Sequence, residues 1–218
     1  YTAPHGYYKA GDYEDKRPNV GGVISRQSFS SEKWLHDAGV ALEKLINRLE
    51  SGKWAEKILG YQVSFGVSGE AILWGRADNH YGDYGITNTK KFYEWGLEKY
   101  SSLENLKTAW GEKRFENDTL VLPSPDERYH RKDSLSEFFR ADTLGCISSD
   151  MDEFTSKCCA DAIEYFGKIV RRLAPEKLIG AFYGYFVHTD NPNYAGHLAL
   201  ERLLKSDYVD FFAAPKSY

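Results

Sequence analysis

Three short runs limit what this chain can fold into: "KILGYQVSFG" (57–66), "LIGAFYGYF" (178–186) and "YVDFFAAP" (208–215). Each is apolar almost throughout and too short for a buried helix, so each reads as a strand covered on both faces. Longer segments with helical spacing separate them. Helix, strand, helices, strand, helix, strand is the order that parallel strands covered by helices require, and it predicts an α/β fold.

The first helical segment, "SSEKWLHDAGVALEKLINRLESG" (30–52), opens on capping serines and places Trp34, Ala38, Leu42, Leu45, Ile46 and Leu49 on one face before stopping at Gly52. "TNTKKFYEWGLEKY" (87–100) reads as a second helix, and "SSLENLKTAWG" (101–111) as a third, with a capping box from Ser101 to Glu104 and a glycine stop. A further capping box, Ser134 to Glu137, is expected to open a long helix running to Leu173, with Gly145 as a kink point and Pro175 beyond its end. "GHLALERLLKS" (196–206) is the last helix. Residues 1–29 read as one long loop, and "FENDTLVLPSPDERYHRKD" (115–133) as irregular. With no internal repeat or linker, residues 1–218 are expected to form one domain or one piece of a domain.

At 218 residues, 42% hydrophobic and 28% charged, the chain has the composition of a soluble globular protein. A net charge of −4, with Lys and Arg scattered among acids, offers no field for phosphates, so nucleic acid is not an expected partner. No apolar run approaches the roughly 20 residues of a membrane span. The start, Tyr-Thr-Ala-Pro, is not a signal sequence and lacks Met, which suggests a processed or excised chain. The compartment is left open, a secreted or periplasmic parent protein included. Cys146, Cys158 and Cys159 share one helical segment without metal-site spacing and read as small buried hydrophobes. "DNHYGDYG" reads as a loop, since Asp78, His80 and Asp83 match no ligand spacing, and no metal or cofactor is expected.

Aromatic residues make up 15% of the chain (16 Tyr, 12 Phe, 5 Trp) and suit either sugar rings or a core. "GYQVSFGVSGEAILWG" (60–75) is the most suggestive stretch: a strand, then Gly66 and Gly69 permitting a tight turn, then Glu70 and Trp74. A carboxylate directly after an apolar strand is either a solvated loop acid or a catalytic group. Trp74 suits an apolar wall that desolvates Glu70 or a stacking surface. Tyr183 and Tyr185 alternate along the second strand and His188 follows its end. With Tyr218 after the last strand, they fit either a sugar-binding rim or barrel packing. His197 and His80 read as ordinary helix-start and loop residues.

These motifs resemble the clan of (β/α)₈-barrel glycoside hydrolases, especially the family 42 β-galactosidases. The segments that carry the resemblance are "SSEKWLHDAGVALEKLINRLE", "ILGYQVSFGVSGE", "FYEWGLEKYSSLENLKTAWG" and "GHLALERLLKSDYVDFFAAPKSY". It implies a TIM-barrel type fold of which this chain holds about strands 4 to 6, with residues 1–218 a partial catalytic domain. It further implies a retaining, two-carboxylate hydrolysis of β-galactosides or related sugars. Glu70 takes the place of the general acid/base after the fourth strand. Most of the clan has Asn directly before that Glu, where this chain has Gly69. The nucleophile follows the seventh strand in the clan, so it is expected outside this chain, which alone is expected to be inactive. The alternative is a non-catalytic carbohydrate-binding or interaction protein on a degenerate barrel. A partial parallel sheet also leaves an open edge and an uncovered apolar face, which self-association, a strand from the N-terminal loop or the remainder of a longer polypeptide would each cover.

Overall fold

A computed structural model of the chain describes residues 27–73, 83–116, 119–124, 127–128, 142–185 and 196–214. Helix α1 (Glu32–Glu50) starts where the Ser31 hydroxyl accepts from the Trp34 N–H, an N-cap that satisfies one of the orphan donors of the first turn. Strand β1 (Gly60–Val63) follows after a single turn of 3₁₀ helix. Helices α2 (Ile86–Tyr100) and α3 (Leu103–Trp110) come next, then two two-residue strands, β2 (Phe115–Glu116) and β3 (Thr119–Leu120), paired antiparallel. The chain continues through α4 (Thr143–Leu173), β4 (Leu178–Phe182), α5 (Leu200–Leu204) and β5 (Phe211–Ala213).

The main sheet has the order β1-β4-β5 and is parallel, with Gly60 opposite Leu178, Val63 opposite Ala181, and Gly180 opposite Phe211. This is an α/β fold with a partial barrel. Val63, Phe65, Ile179 and Ala181 are buried on the helix side of the sheet, where the Trp34 and Phe166 rings meet Phe65 at 5.6 and 6.0 Å. Gln62 and Ser64, which alternate with them, are exposed. At the N-terminal ends of the strands Leu59 and Leu178 remain 82% and 52% exposed. Within the described residues β1 and β5 are both edges.

Helix α4 has 31 residues, a length of roughly 46 Å, far more than the sheet is tall. Its C-terminal half packs on the sheet and on α1. Its N-terminal half runs past the strand ends and carries α2 and α3. There Phe92 stacks on Trp110 at 4.5 Å and meets Phe154 of α4 at 5.5 Å. Asp150 of α4, itself buried, accepts from Trp110 Nε1 (2.7 Å), the Tyr100 hydroxyl (2.8 Å) and Lys99 Nζ (2.9 Å), so one carboxylate ties three helices. Three donors are what a buried carboxylate needs to offset its lost hydration.

Several sequence expectations are corrected. The long helix does not run through from Ser134: Asp142 is extended (φ −92°, ψ 171°) and caps α4 by accepting from Gly145 N at 2.6 Å, so Gly145 lies in the first turn and makes no kink. The Ser134–Glu137 box lies outside the described residues. Helix α3 is capped by Ser102, not Ser101, which takes a left-handed conformation (φ 63°) to turn the chain out of α2. The segment read as irregular contains the β2–β3 pair, tied by Arg114 and Glu127 at 2.6 Å.

Candidate functional site

The loop after β1 is folded tightly back on itself. Gly66, Ser68, Gly69 and Ala71 have φ of 76°, 55°, 77° and 53°, four left-handed residues in six. Ala71 N donates to Phe65 O (2.8 Å), Val67 N to Ile72 O (3.0 Å) and Glu70 N to Val67 O (3.0 Å). A Cβ at position 66 would lie 2.4 Å from the Ile72 carbonyl oxygen, so only glycine fits there. The consequence is that Glu70, half-buried, leaves the loop at the C-terminal end of a parallel strand, the end at which barrel enzymes build their sites.

Neighbouring elements fix this loop from outside. His197, 6% exposed, donates from Nε2 to the Glu70 carbonyl oxygen at 2.9 Å, while its Nδ1 accepts from the Tyr185 N–H at 3.3 Å. Cys159 of α4 donates its thiol to the Ala71 carbonyl oxygen at 3.3 Å. Tyr183 donates its hydroxyl to Gly196 O (2.8 Å) and accepts from Ala199 N (3.1 Å), clasping the turn that carries His197. The His197 ring lies 4.5 Å from that of Tyr183 and 4.8 Å, edge to face, from that of Tyr185.

Burial, then the negative charge of Glu70 and hydrogen bonding to its carboxylate, push the Tyr185 phenol above its ordinary pKa. Burial likewise raises the Tyr183 phenol. Both stay protonated throughout the physiological range.

The structure therefore brings together Glu70, Tyr183 and Tyr185 of the residues singled out by sequence. Tyr183 and Tyr185 are 1% and 5% exposed; Tyr183 is a latch under the His197 turn and Tyr185 a neighbour of the acid. Trp74, His188 and Tyr218, and with them Asp78 and His80, lie outside the described residues. Asp83 is buried and uses Oδ1 to accept from Gly85 N at 2.8 Å at the start of α2. His197 is the residue that sequence reasoning passed over. Its one signal was a Gly-His pair opening a helix twelve residues after the Tyr-Gly-Tyr strand end.

No protein-family model matches the chain, and no curated protein sequence does. Solved structures do. The catalytic domain of β-amylase from Paenibacillus polymyxa superposes with a TM-score of 0.70 over 94% of this chain and 53% of its own, at 16% identity. The β-galactosidase from Bacillus circulans sp. alkalophilus does so with 0.59 over 95% and 27%, again at 16% identity. The β-galactosidase of the haloarchaeon Halorubrum lacusprofundi gives 0.58 over 94% and 27%, also at 16%. The fold is that of the glycoside hydrolase barrels. The chain spans about half the length of the amylase domain and about a quarter of each galactosidase. At such identities the likeness establishes the fold. No helix among the described residues is long and apolar enough to cross a membrane.

Proposed function

We propose that this chain is the acid/base-bearing part of a retaining glycoside hydrolase that acts on β-galactosides or related β-linked sugars. The observation that carries the reading is the place of Glu70: a half-buried carboxylate, held by backbone ties to two other elements, at the C-terminal end of a parallel strand in a glycosidase-like fold. In the proposed reaction Glu70 gives its proton to the glycosidic oxygen as the bond to the anomeric carbon breaks. A second carboxylate, roughly 5 Å away and supplied from outside this chain, attacks that carbon. Glu70 then takes a proton from the water that hydrolyses the glycosyl-enzyme. The buried carboxylates Asp150 and Asp152 are committed to helix packing and ion pairing, which is why neither is assigned as the nucleophile. The 218-residue chain alone is accordingly proposed to be inactive. Its open sheet edges would be covered by further strands of the barrel or by self-association.

The test is Glu70→Gln in the longest polypeptide that contains this chain, assayed against an activated aryl β-galactoside, an unactivated β-linked disaccharide and amylose. Loss of the proton donor should cost about 10²- to 10⁴-fold on the unactivated substrate and much less on the activated one. Undiminished turnover of every cleaved substrate would sink the assignment.

A second reading, a carbohydrate-binding or interaction protein without turnover, is favoured by Gly69. It offers no side chain where most of the resembling clan has Asn. Measurable sugar binding without hydrolysis in that same polypeptide would select it.

A further inference from the structure

We propose that His197 is a positioning residue for Glu70: by bridging the ends of β1 and β4 it fixes the loop that presents the acid. The inference rests on the reading of Glu70 as the proton donor. The loop that presents Glu70 belongs to neither helix nor sheet, and four of its residues have left-handed backbone. Such a segment keeps one geometry only when its surroundings determine it. His197 provides that constraint with two hydrogen bonds, one to the Glu70 carbonyl and one from the Tyr185 N–H.

Those two bonds specify the chemical state of the imidazole. Nδ1 must accept and Nε2 must donate, so the ring is neutral with its proton on Nε2. The ring cannot swing away, because Tyr183 and Tyr185 pack against it and the Tyr183 hydroxyl grips Gly196 and Ala199 on either side of it. Three elements converge on the acid loop. The end of β4 brings Tyr185, the turn before α5 brings His197, and α4 brings the Cys159 thiol to the next carbonyl along. The position of Glu70 therefore depends on the bridge that His197 makes between its loop and the end of β4.

The experiment is carboxyl-carbon NMR of Glu70, assigned through Glu70→Gln, in the longest polypeptide that contains the full chain. His197→Phe, which removes both hydrogen bonds of the bridge, should shift and broaden the Glu70 carboxyl resonance as the loop loses its single geometry. His197→Gln, whose amide can both donate and accept, should leave that resonance near its unaltered position. Imidazole nitrogen shifts in the unaltered protein should show a neutral ring protonated at Nε2 near pH 7. A proton on Nδ1, or a folded His197→Phe protein with an unchanged Glu70 resonance, overturns the proposal. If His197→Phe does not fold, the tautomer and the His197→Gln spectrum decide. None of these readouts needs turnover, so an inactive protein would not be mistaken for a misplaced histidine.

Discussion

Cys159 donates its thiol to the main-chain carbonyl of Ala71 at 3.3 Å, joining the long helix α4 to the residue directly after Glu70. Burial pushes the Cys158 and Cys159 thiols well above their ordinary pKa, which leaves almost no thiolate at neutral pH. Cys146 is only half-buried, sharing a hydrogen bond with the Tyr100 hydroxyl. An aromatic disulfide reagent at pH 8 should therefore modify Cys146 on the order of 100-fold faster than the other two. All three should react together in denaturant. Rapid native modification of Cys159 would contradict the packing of α4 on the acid loop.

Arg128 and Asp152 form an ion pair at 2.9 Å with both side chains 2% exposed. Desolvation offsets most of the attraction in such a pair, yet removing one partner strands the other charge. Asp152→Asn or Arg128→Met alone should cost about 3–5 kcal/mol, while the double change Arg128→Met with Asp152→Leu should recover much of that. Thermal or urea unfolding measures it. Single changes that cost nothing would show that the pair is not buried as described.

Glu127 is held by Arg114 and by the Ser124 N–H, and the hydrogen bond from Arg114 chiefly lowers its pKa from 4.5 to about 2. Because folding lowers this pKa, the contribution is complete above about 4.5 and disappears as the pH falls through about 2. The carboxylate is 43% exposed and screened by water, so the size should be no more than about 1 kcal/mol. Glu127→Gln should flatten the stability profile in that acid window and leave its shape near pH 7 to 8 unchanged.

Gly66 and Gly69 should differ sharply. Alanine at 66 meets the Ile72 carbonyl oxygen and a φ of +76°, so Gly66→Ala should open the acid loop and destabilise the fold by several times RT. At 69 the nearest atom to a new Cβ is the Ser64 Cβ at 3.2 Å, and the left-handed backbone is one that Asn tolerates. Gly69→Asn should fold with a cost of about 1 kcal/mol or less, read by thermal unfolding. If the two variants unfold alike, the loop geometry is wrong.

The parts of this molecule legible in sequence are those fixed by local pattern. Short apolar runs marked β1, β4 and β5, and helical spacing after a serine cap marked α1. Where a local signal misplaced a boundary, the tertiary path decided it. The capping box read from Ser101 is off by one residue, because the turn out of α2 needs a left-handed residue and takes Ser101, leaving Ser102 to cap α3. The β2 and β3 strands have two residues each, too few for any alternation to show. At the site, the strand-turn-acid order exposed Glu70, whereas the work of His197 depends on contacts across 127 positions that no local pattern encodes.

The central claim is that Glu70 donates and then retrieves a proton in a retaining reaction, and one measurement addresses it directly. Glu70→Ala should be prepared in the longest polypeptide that contains this chain and given a dinitrophenyl β-galactoside with and without azide. A substrate with so good a leaving group needs no acid, so the glycosyl-enzyme should form and then stall for want of a base. Azide needs no base and should restore turnover on the order of 10-fold or more, yielding the β-galactosyl azide with retained configuration. Hydrolysis as fast as in the unaltered protein, or a slow variant that azide does not accelerate, would contradict the account.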